Sequence, residues 1–171
     1  MLMLVCGPFT IEAAERIAIG YVDLLNDPRH EDRTGFGGIV IEPRGRPHDG
    51  ASLAMNDLAM VGQALGIEFE LVAERAANAD GVAGAIARLR SERGARFILL
   101  DAGAEIVTAA ALNTRGSDVL LLNVSAEADA LRGASCASHL LHLFPSTAMR
   151  TDALTQYIVA RKWRESATAA A

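Results

Sequence analysis

Short apolar runs recur along the chain, and longer segments with helical spacing separate them. Residues 17–22 are β-rich and uncharged, a pattern typical of a strand covered on both faces. Further strands are predicted at residues 67–72, 96–101, 118–123 and 139–144. The run at 67–72 alternates apolar and polar residues, which indicates a strand near a sheet edge.

Helical periodicity fills the gaps between these strands. The first predicted helix has Asp49 as its N-cap, and the next has Asp80. A third helix is predicted over residues 102–115, and a last one starts at Pro145-Ser146. The residues that share one face of the first helix are Ala54, Leu58, Val61 and Leu65. The predicted helix-ending glycines are Gly66, Gly94 and Gly116.

The alternation of strands and helices predicts the fold class. Five βα repeats indicate an α/β protein with a doubly wound, mainly parallel sheet, helices on both faces and strand order 2-1-3-4-5. Residues 23–48, rich in glycine, proline and charge, predict a long functional or mobile loop with a small extra strand at 39–41. The predicted organisation is one lobe over 16–164, a partial signal segment at 1–15 and a small-residue tail at 165–171.

Composition narrows the class of partner. The 171 residues are 51% hydrophobic with mean hydropathy +0.22, which excludes a disordered chain. The net charge of −5 argues against a nucleic-acid-binding surface. No stretch reaches the roughly 20 apolar residues of a membrane-spanning helix. A small-molecule or protein partner is therefore expected.

Candidate binding residues follow from the sheet. Ligands of open parallel sheets bind outside the carboxyl ends of the strands, where helices begin and aim free backbone N–H groups. Small or hydrogen-bonding residues occupy these predicted ends. The candidates are Tyr21, Asp23, Asp101, Ala102, Gly103, Asn123 and Ser125. Turn and cap chemistry is the alternative role for each of them.

Signatures of catalysis are missing from the sequence. It has no glycine-rich turn after the first strand, no P-loop, no nucleophile elbow and no zinc spacing, so no catalytic residue, cofactor or metal is expected. His139 and His142 fall on opposite faces of a predicted strand, which favours structural roles. Four carboxylates lie in one loop that also holds Arg29, His30 and Arg33, which predicts a solvated, self-neutralising segment. They are Asp23, Asp27, Glu31 and Asp32.

A receiver-like phosphoacceptor or flavodoxin-like signalling domain is the alternative with the same sheet. Asp23, Asp101 and Ser125 would supply its acidic pocket and hydroxyl. The lysine expected at the end of the fifth strand is replaced by Phe144-Pro145, and the long loop after Asp23 fits poorly.

Several segments together resemble a known family. They are Ile19-Gly20-Tyr21-Val22-Asp23-Leu24, Asp27-Pro28-Arg29, Pro43-Arg44-Gly45-Arg46-Pro47, Gly62-Gln63-Ala64-Leu65-Gly66 with Phe69-Glu70-Leu71, Leu131-Arg132-Gly133 with Cys136, His142 with Pro145-Ser146, and Asp152-Ala153-Leu154-Thr155-Gln156-Tyr157 with Trp163. Over residues 16–163 the chain resembles the amino-terminal part of a type I periplasmic binding protein. The likeness is to the branched-chain-amino-acid-receptor-like proteins associated with quinoprotein (PQQ-dependent) alcohol dehydrogenase systems.

The resemblance implies a secreted, non-catalytic component of an ABC-type uptake system in which two lobes close on a small ligand. By position it assigns ligand contacts to the loops after strands one, three and four. The implied contacts are Ala102, Gly103, Asn123 and Ser125, with residues 21–23 at the rim. Asp101-Ala102-Gly103 replaces the family's serine and threonine pattern, which leaves the ligand's identity open.

Further expectations depend on the same resemblance. The chain would be a lone first lobe, periplasmic if the signal segment works and cytoplasmic otherwise. An ABC permease or a dehydrogenase could bind it, which would make it a docking subunit. Two first lobes could also pair through the helix at residues 146–163. Cys136 would either pair with a cysteine of a second lobe or stay a buried free thiol.

Overall fold

The computed structural model describes residues 15–42 and 45–161. The predicted signal segment, Pro43, Arg44 and the predicted tail, together with Trp163, lie outside the described residues. The strands are β1 (Glu15–Leu24), β2 (Arg33–Thr34), β3 (Val40–Glu42), β4 (Ile67–Ala76), β5 (Phe97–Leu100), β6 (Leu120–Asn123) and β7 (Leu140–His142). The α-helices are α1 (Pro47–Leu65), α2 (Ala79–Arg93), α3 (Ala104–Asn113) and α4 (Thr147–Ala160).

Five strands form one sheet in the order β4-β1-β5-β6-β7. Every pair of neighbours is parallel. This order confirms the predicted doubly wound sheet, and β4 lies at an edge as its alternating sequence indicates. The small predicted strand at 39–41 largely coincides with β3, which pairs antiparallel with β2 in a separate hairpin within the long loop.

One face of the sheet carries the hydrophobic core. Residues such as Val22, Ile98 and Leu121 point from the strands toward α2 and α3 and are fully buried. Leu89 of α2 and Ile98 of β5 pack closely against β1 at Gly20, so a larger residue there would have to displace both side chains. A Cβ on Gly20 would lie 3.0 Å from Leu89 Cδ1 and 2.5 Å from Ile98 Cδ1. The tight packing of this face fixes the strand ends that build the site.

The opposite face is covered by α1, and only in part. The helix approaches β4 at Gly62, where an added Cβ would lie 2.5 Å from the carbonyl oxygen of Ile67. Val61 and Leu65 are exposed, so the apolar stripe predicted to share one helix face is not the packing side of α1. Because Gly62 has no side chain, α1 can approach β4 closely at this position. The neighbouring Val61 is larger but stays exposed.

Two predicted helix caps are wrong. Pro47 occupies the first turn of α1, where its missing N–H costs nothing, and the N-cap is Arg46 instead of Asp49. In α2 the cap is Asn78, whose Oδ1 accepts a hydrogen bond from the Gly81 N–H at 3.0 Å. Asp49 and Asp80 lie in the first turns of these helices, where a carboxylate is favoured by the helix dipole.

The sequence also made predictions for His139, His142 and Cys136. His139 Nε2 lies 3.0 Å from Thr114 Oγ1, and His142 Nδ1 lies 3.1 Å from Asn123 Nδ2, so both rings make internal contacts as expected. Cys136 is exposed and forms no disulfide within the described part of the chain. The buried-thiol alternative is therefore wrong. Among residues 15–42 and 45–161, no helix has the length and apolar character to cross a bilayer.

Candidate ligand-binding site

The carboxyl ends of β1, β5 and β6 meet around the side chain of Asp101. Asp101 follows β5 directly, and its backbone N–H donates to the Val22 carbonyl at 2.9 Å, which fixes it against β1. The side chain is fully buried. A carboxylate without contact to water needs donors on both oxygens, and its neighbours supply them.

Each oxygen of Asp101 has two partners. Oδ2 accepts the Tyr21 hydroxyl at 2.9 Å and lies 2.8 Å from His30 Nε2. The geometry at His30 does not qualify as a hydrogen bond, so this contact is one of proximity. Oδ1 accepts from Ser125 Oγ at 2.6 Å and from Arg29 Nη2 at 3.2 Å. The arrangement joins β1, the long loop and the loop after β6.

The segment after β1 brings Arg29 into this cluster. Asp27 caps the short 3-10 helix Pro28–His30 by accepting the Arg29 backbone N–H at 2.9 Å. The same carboxylate binds the Arg29 guanidinium, whose Nε lies 3.0 Å from each carboxylate oxygen. Burial alone would raise the pKa of Asp27, but the hydrogen bonds and charge of Arg29 outweigh it and lower that pKa. Arg29 also donates to Ser125 Oγ at 2.9 Å.

Asp23 forms a second ion cluster beside the first. Its carboxylate is buried, with Arg46 Nη1 at 3.4 Å from Oδ2 and Arg75 Nε at 3.4 Å from Oδ1. Arg75 is not placed for a hydrogen bond to Oδ1. The predicted self-neutralisation of the acidic loop is therefore found, but the predicted solvation is wrong for Asp23 and Asp27, because arginines replace water around them.

Tyr21 connects these clusters to α1. Its ring meets the His48 ring edge-on at a centroid distance of 5.0 Å. Burial and the adjacent charges of Asp101 and Asp23 raise the pKa of the Tyr21 hydroxyl far above its ordinary value. The raised pKa keeps this hydroxyl protonated, so Tyr21 is a neutral donor to Asp101.

Asn123 shapes the loop after β6. Its Nδ2 donates to the Ala126 carbonyl at 2.8 Å, and its Oδ1 accepts the Ala126 N–H at 2.8 Å. The side chain is completely buried and satisfied inside the protein. This turn holds Ser125 at the edge of the sheet, where its hydroxyl reaches both Asp101 and Arg29.

An open cleft of about 670 Å³ lies above this edge. Its lining includes both signs of charge as well as the start of α3 at Gly103 and Ala104. No side chain caps that helix, so the backbone N–H groups of its first turn are left for another acceptor. The charged and polar side chains at the cleft are Arg29, His30, Ser125, Glu127 and Arg150.

The seven predicted site residues divide into two groups. Gly103 and Ser125 line the cleft. The other five are buried beneath it and act through their neighbours: Tyr21, Asp23, Asp101, Ala102 and Asn123. The structure thus brings all seven to one edge of the sheet, while the cleft itself is lined mainly by residues outside that set.

The sequence did not predict three residues that line the cleft: Arg29, His30 and Arg150. Arg29 and His30 lie in the loop that the sequence favours as solvated, and Arg150 lies in the first turns of α4. The pair Asp27-Pro28 is a signal that could have found the first two, because an aspartate before proline often caps a turn and fixes the residues after it. Nothing in the local sequence ties Arg150 to Glu127, which its Nη1 contacts at 2.8 Å.

The contacts also limit the chemistry of Ser125. Its hydroxyl donates to Asp101 directly, and His30 approaches the other oxygen of the same carboxylate. A serine nucleophile needs the histidine between itself and the acid. Within the described residues no group of three or more metal-ligating side chains converges. The arrangement is suited to hold a ligand by charge and hydrogen bonds.

Comparison with known proteins bears on the fold. No family model matches the sequence, and no curated protein matches it. Solved structures do match. A possible leucine/isoleucine/valine-binding protein from Rhodopirellula baltica SH 1 has a TM-score of 0.59 at 18% identity over 89% of this chain and 38% of its own. The fold is that of one periplasmic-binding-protein lobe.

Two further structures agree with that lobe. The substrate-binding protein LivJ of a branched-chain amino acid transporter from Streptococcus pneumoniae, solved with isoleucine, has a TM-score of 0.56 at 16% identity, over 85% of this chain and 38% of its own. An ABC transporter substrate-binding protein from Desulfitobacterium hafniense gives 0.63 at 16% identity, over 86% of this chain and 39% of its own. The chain thus spans well under half the length of these binding proteins.

Proposed function

We propose that this chain is a non-catalytic lobe that binds one side of a small ligand carrying a carboxylate, in a protein of the ABC substrate-binding type. The observation that carries the proposal is the open cleft at the carboxyl edge of the sheet, where Arg29, Arg150 and the uncapped start of α3 converge. Guanidinium groups and helix N-termini both favour a carboxylate.

Glu127 extends the proposed ligand class to amino acids. It lines the same cleft and binds Arg150, so the cleft presents an anion beside its cations. An ammonium group could contact Glu127 while the carboxylate of the same ligand contacts Arg29. The structures that resemble this lobe include proteins described as binding leucine, isoleucine and valine, which supports a small zwitterion as ligand.

Affinity in the lone lobe should be weak. Ligand sites usually bury 70–90% or more of a drug-sized ligand's surface, and a one-sided cleft covers far less. We expect dissociation constants on the order of 1 mM, which correspond to about −4 kcal/mol.

Amide NMR spectra test the proposal at such affinities. Titration with leucine should shift the Gly103, Ala104 and Ser125 resonances, whereas isoamylamine, which lacks the carboxylate, should not shift them. Arg150→Gln should weaken binding several-fold. The matched control is Arg90→Gln, because Arg90 forms a comparable surface ion pair with Asp118, far from the cleft. Shifts that are equally large with isoamylamine, or unaffected by Arg150→Gln, would contradict the carboxylate assignment.

The receiver-like alternative meets an obstacle at Asp101. A phosphoacceptor carboxylate must be reached by the phosphodonor, but Asp101 is fully buried and engaged by four side chains. Incubation with acetyl phosphate and magnesium should therefore leave Asp101 unlabelled. Labelling of Asp101 would replace the binding proposal.

The sequence resemblance extends the proposal to cellular context. We propose export to the periplasm, contact with an ABC permease or a dehydrogenase, and association with a PQQ-dependent alcohol dehydrogenase system. A fusion of residues 1–20 to alkaline phosphatase tests export, because the phosphatase is active only after translocation. An inactive fusion together with an intact cytoplasmic product would overturn the export proposal and leave the ligand proposal standing.

A further inference from the structure

The face of the sheet opposite the core carries a trough that none of residues 15–42 and 45–161 covers. Its floor is made of strand residues, and α1 forms one wall. The trough has a volume of about 630 Å³, and no charged side chain lines it. The strand residues in its floor include Ile19, Phe97, Leu99 and Leu122, with Leu143 just past β7. Phe97 is 44% exposed and Leu143 62% exposed.

The trough has the dimensions of one missing helix. Most of the floor belongs to β1, β5 and β6. Covering three neighbouring strands needs a strip about 10–14 Å wide, because neighbouring strands lie about 4.8 Å apart. An α-helix with side chains is about 10–12 Å across. The core face has two helices, α2 and α3, whereas α1 lies mainly against β4 at the sheet edge.

Helix α4 packs against no other element among the described residues. None of its residues is buried. Five of its apolar side chains recur at helical spacing and lie on one half of the helix surface: Met149, Ala153, Leu154, Tyr157 and Ile158. Arg150 lies on the same half, in the first turn, where it binds Glu127. The other half carries Thr151 and Thr155 together with Val159. An apolar half of this kind is stabilised by a partner surface.

The start of α4 is fixed by contacts to the loop after β6 and to the short segment that follows it. The backbone N–H of Thr147 donates to the Glu127 carbonyl at 3.0 Å, and that of Ala148 donates to Asp129 Oδ1 at 3.1 Å. Arg150 binds Glu127 as well, and Ser146 caps the helix. These contacts hold the first turn at the carboxyl edge of the sheet, with the rest of the helix in solvent.

We propose that two copies of this chain form a twofold dimer in which α4 of each copy occupies the apolar trough of the other. Among the described residues, each copy carries one helix without a partner surface and one unfilled trough, so an exchange of both helices covers these two apolar surfaces and closes the assembly.

The expected area agrees with a stable dimer. A 14-residue helix is about 21 Å long and about 10 Å wide, so one seated face buries roughly 400 Å² of accessible surface on each side. Two equivalent contacts then bury on the order of 1,600 Å² in total, which is the size of a standard specific interface.

Sedimentation equilibrium of the full chain tests the dimer. The wild-type protein should have the mass of two chains, and Leu154→Glu/Tyr157→Glu should raise the dimer dissociation constant at least about 100-fold, because two carboxylates would enter each of the two apolar troughs. Thr151→Glu/Thr155→Glu is the matched control, with the same added charge on the opposite side of α4, and should stay dimeric. A monomeric wild-type chain, or equal dissociation of both variants, would overturn the proposal.

Cross-linking distinguishes exchange from closure within one chain. In a Cys6→Ser/Cys136→Ser background, a Leu154→Cys copy is mixed with a Leu143→Cys copy and treated with a short bismaleimide. A product with the mass of two chains, formed in the mixture and in neither copy alone, supports the exchange. Efficient closure inside a chain carrying both cysteines, without the two-chain product, would show that α4 docks on its own sheet and would overturn it.

Discussion

The two faces of the sheet are built from neighbouring residues of the same strands, yet they differ in how they are held. On the α2 and α3 side, side chains such as Ile98 and Leu121 are completely buried in a continuous apolar core. On the α1 side, Phe97 is largely exposed and Leu122 only partly buried. The lobe therefore owes its stability mainly to one face, and the other face keeps apolar surface available for a partner.

At the carboxyl edge, the α1 side is held by polar contacts instead. Tyr21 follows Ile17 and Ile19 on the same side of β1, and there the apolar run ends in a hydroxyl bound to Asp101. Its ring packs against His48 of α1. The site end of this face is thus closed by hydrogen bonds and ion pairs, while the middle of the face stays open.

The largest expected effect compares two adjacent leucines of β6. Leu121→Ala should lower the free energy of unfolding by about 3 kcal/mol, because Leu121 is fully buried in the core face. Leu122→Ala removes the same atoms from the opposite face and should cost about 1 kcal/mol, since part of that side chain already contacts water. Urea denaturation of the two variants measures both. Equal losses would mean that the two faces contribute alike.

Tyr21→Phe tests the polar closure of the α1 side. The variant loses a hydrogen bond to a buried carboxylate, for which we expect a loss of about 2 kcal/mol in the free energy of unfolding. Tyr157→Phe is the control, because it removes a hydroxyl from a side chain that is exposed in the lobe and keeps the ring that the proposed dimer would bury, so stability should change by less than about 0.5 kcal/mol. Thermal unfolding followed by circular dichroism compares them. Similar values for both would remove Tyr21 from the network that holds the edge.

Alanine substitutions at Gly62 and Gly84 compare a helix position in close contact with β4 and a position on an open helix surface. Gly84→Ala in α2 meets only the end of Arg88 at 3.5 Å and should stabilise the protein by about 0.5–1 kcal/mol through helix propensity. Gly62→Ala places its Cβ 2.5 Å from the Ile67 carbonyl oxygen and should destabilise by about 1–2 kcal/mol despite the same propensity gain. Chemical denaturation gives both values. A stabilising Gly62→Ala would show that α1 can move off β4 at little cost.

The sequence predicts the sheet well and the site only partly, for physical reasons. Strand order follows from local periodicity and the preference for right-handed crossovers, which act over short distances. Helical spacing predicts a shared apolar face of α1 that includes Val61 and Leu65, whereas the helix makes its close approach to β4 at Gly62. Arg29 and Asp101 are 72 residues apart, and their contact depends on the loop turn that Asp27 caps. Charge pairs of that kind leave no periodic signal.

The uncovered trough is a feature that no single segment reveals. The run at residues 17–22 indicates a strand buried on both faces, and β5 and β6 are equally apolar. Among the described residues, α4 lies away from the sheet and the α1 side of these strands stays open. The sequence predicts strands buried on both faces, whereas the structure fully covers only the core face. The two agree if another helix fills the trough on the α1 side.

The smallest expected effect concerns the pH dependence of the loop that carries Arg29. The pKa of Asp27 is lowered from 3.8, because Arg29 outweighs the effect of burial. At a pH between the folded and the unfolded pKa of Asp27, the unfolded chain binds more protons than the folded one. The stability that the Asp27–Arg29 pair contributes is therefore present above about pH 4 and is lost as the pH falls through the folded pKa. Asp27→Asn removes that contribution.

The difference in unfolding free energy between wild type and Asp27→Asn should therefore shrink as the pH is lowered from 6 toward 2.5. Urea denaturation at several pH values measures it. Asp118→Asn is the control, because the pKa of that exposed carboxyl is lowered by the Arg90 hydrogen bond and its difference should follow the same sign with a smaller amplitude, since solvent screens the pair. A gap that widens on acidification would mean that the protonated Asp27 is the form the fold prefers, and that the site edge of the half-covered face is not held by this ion pair.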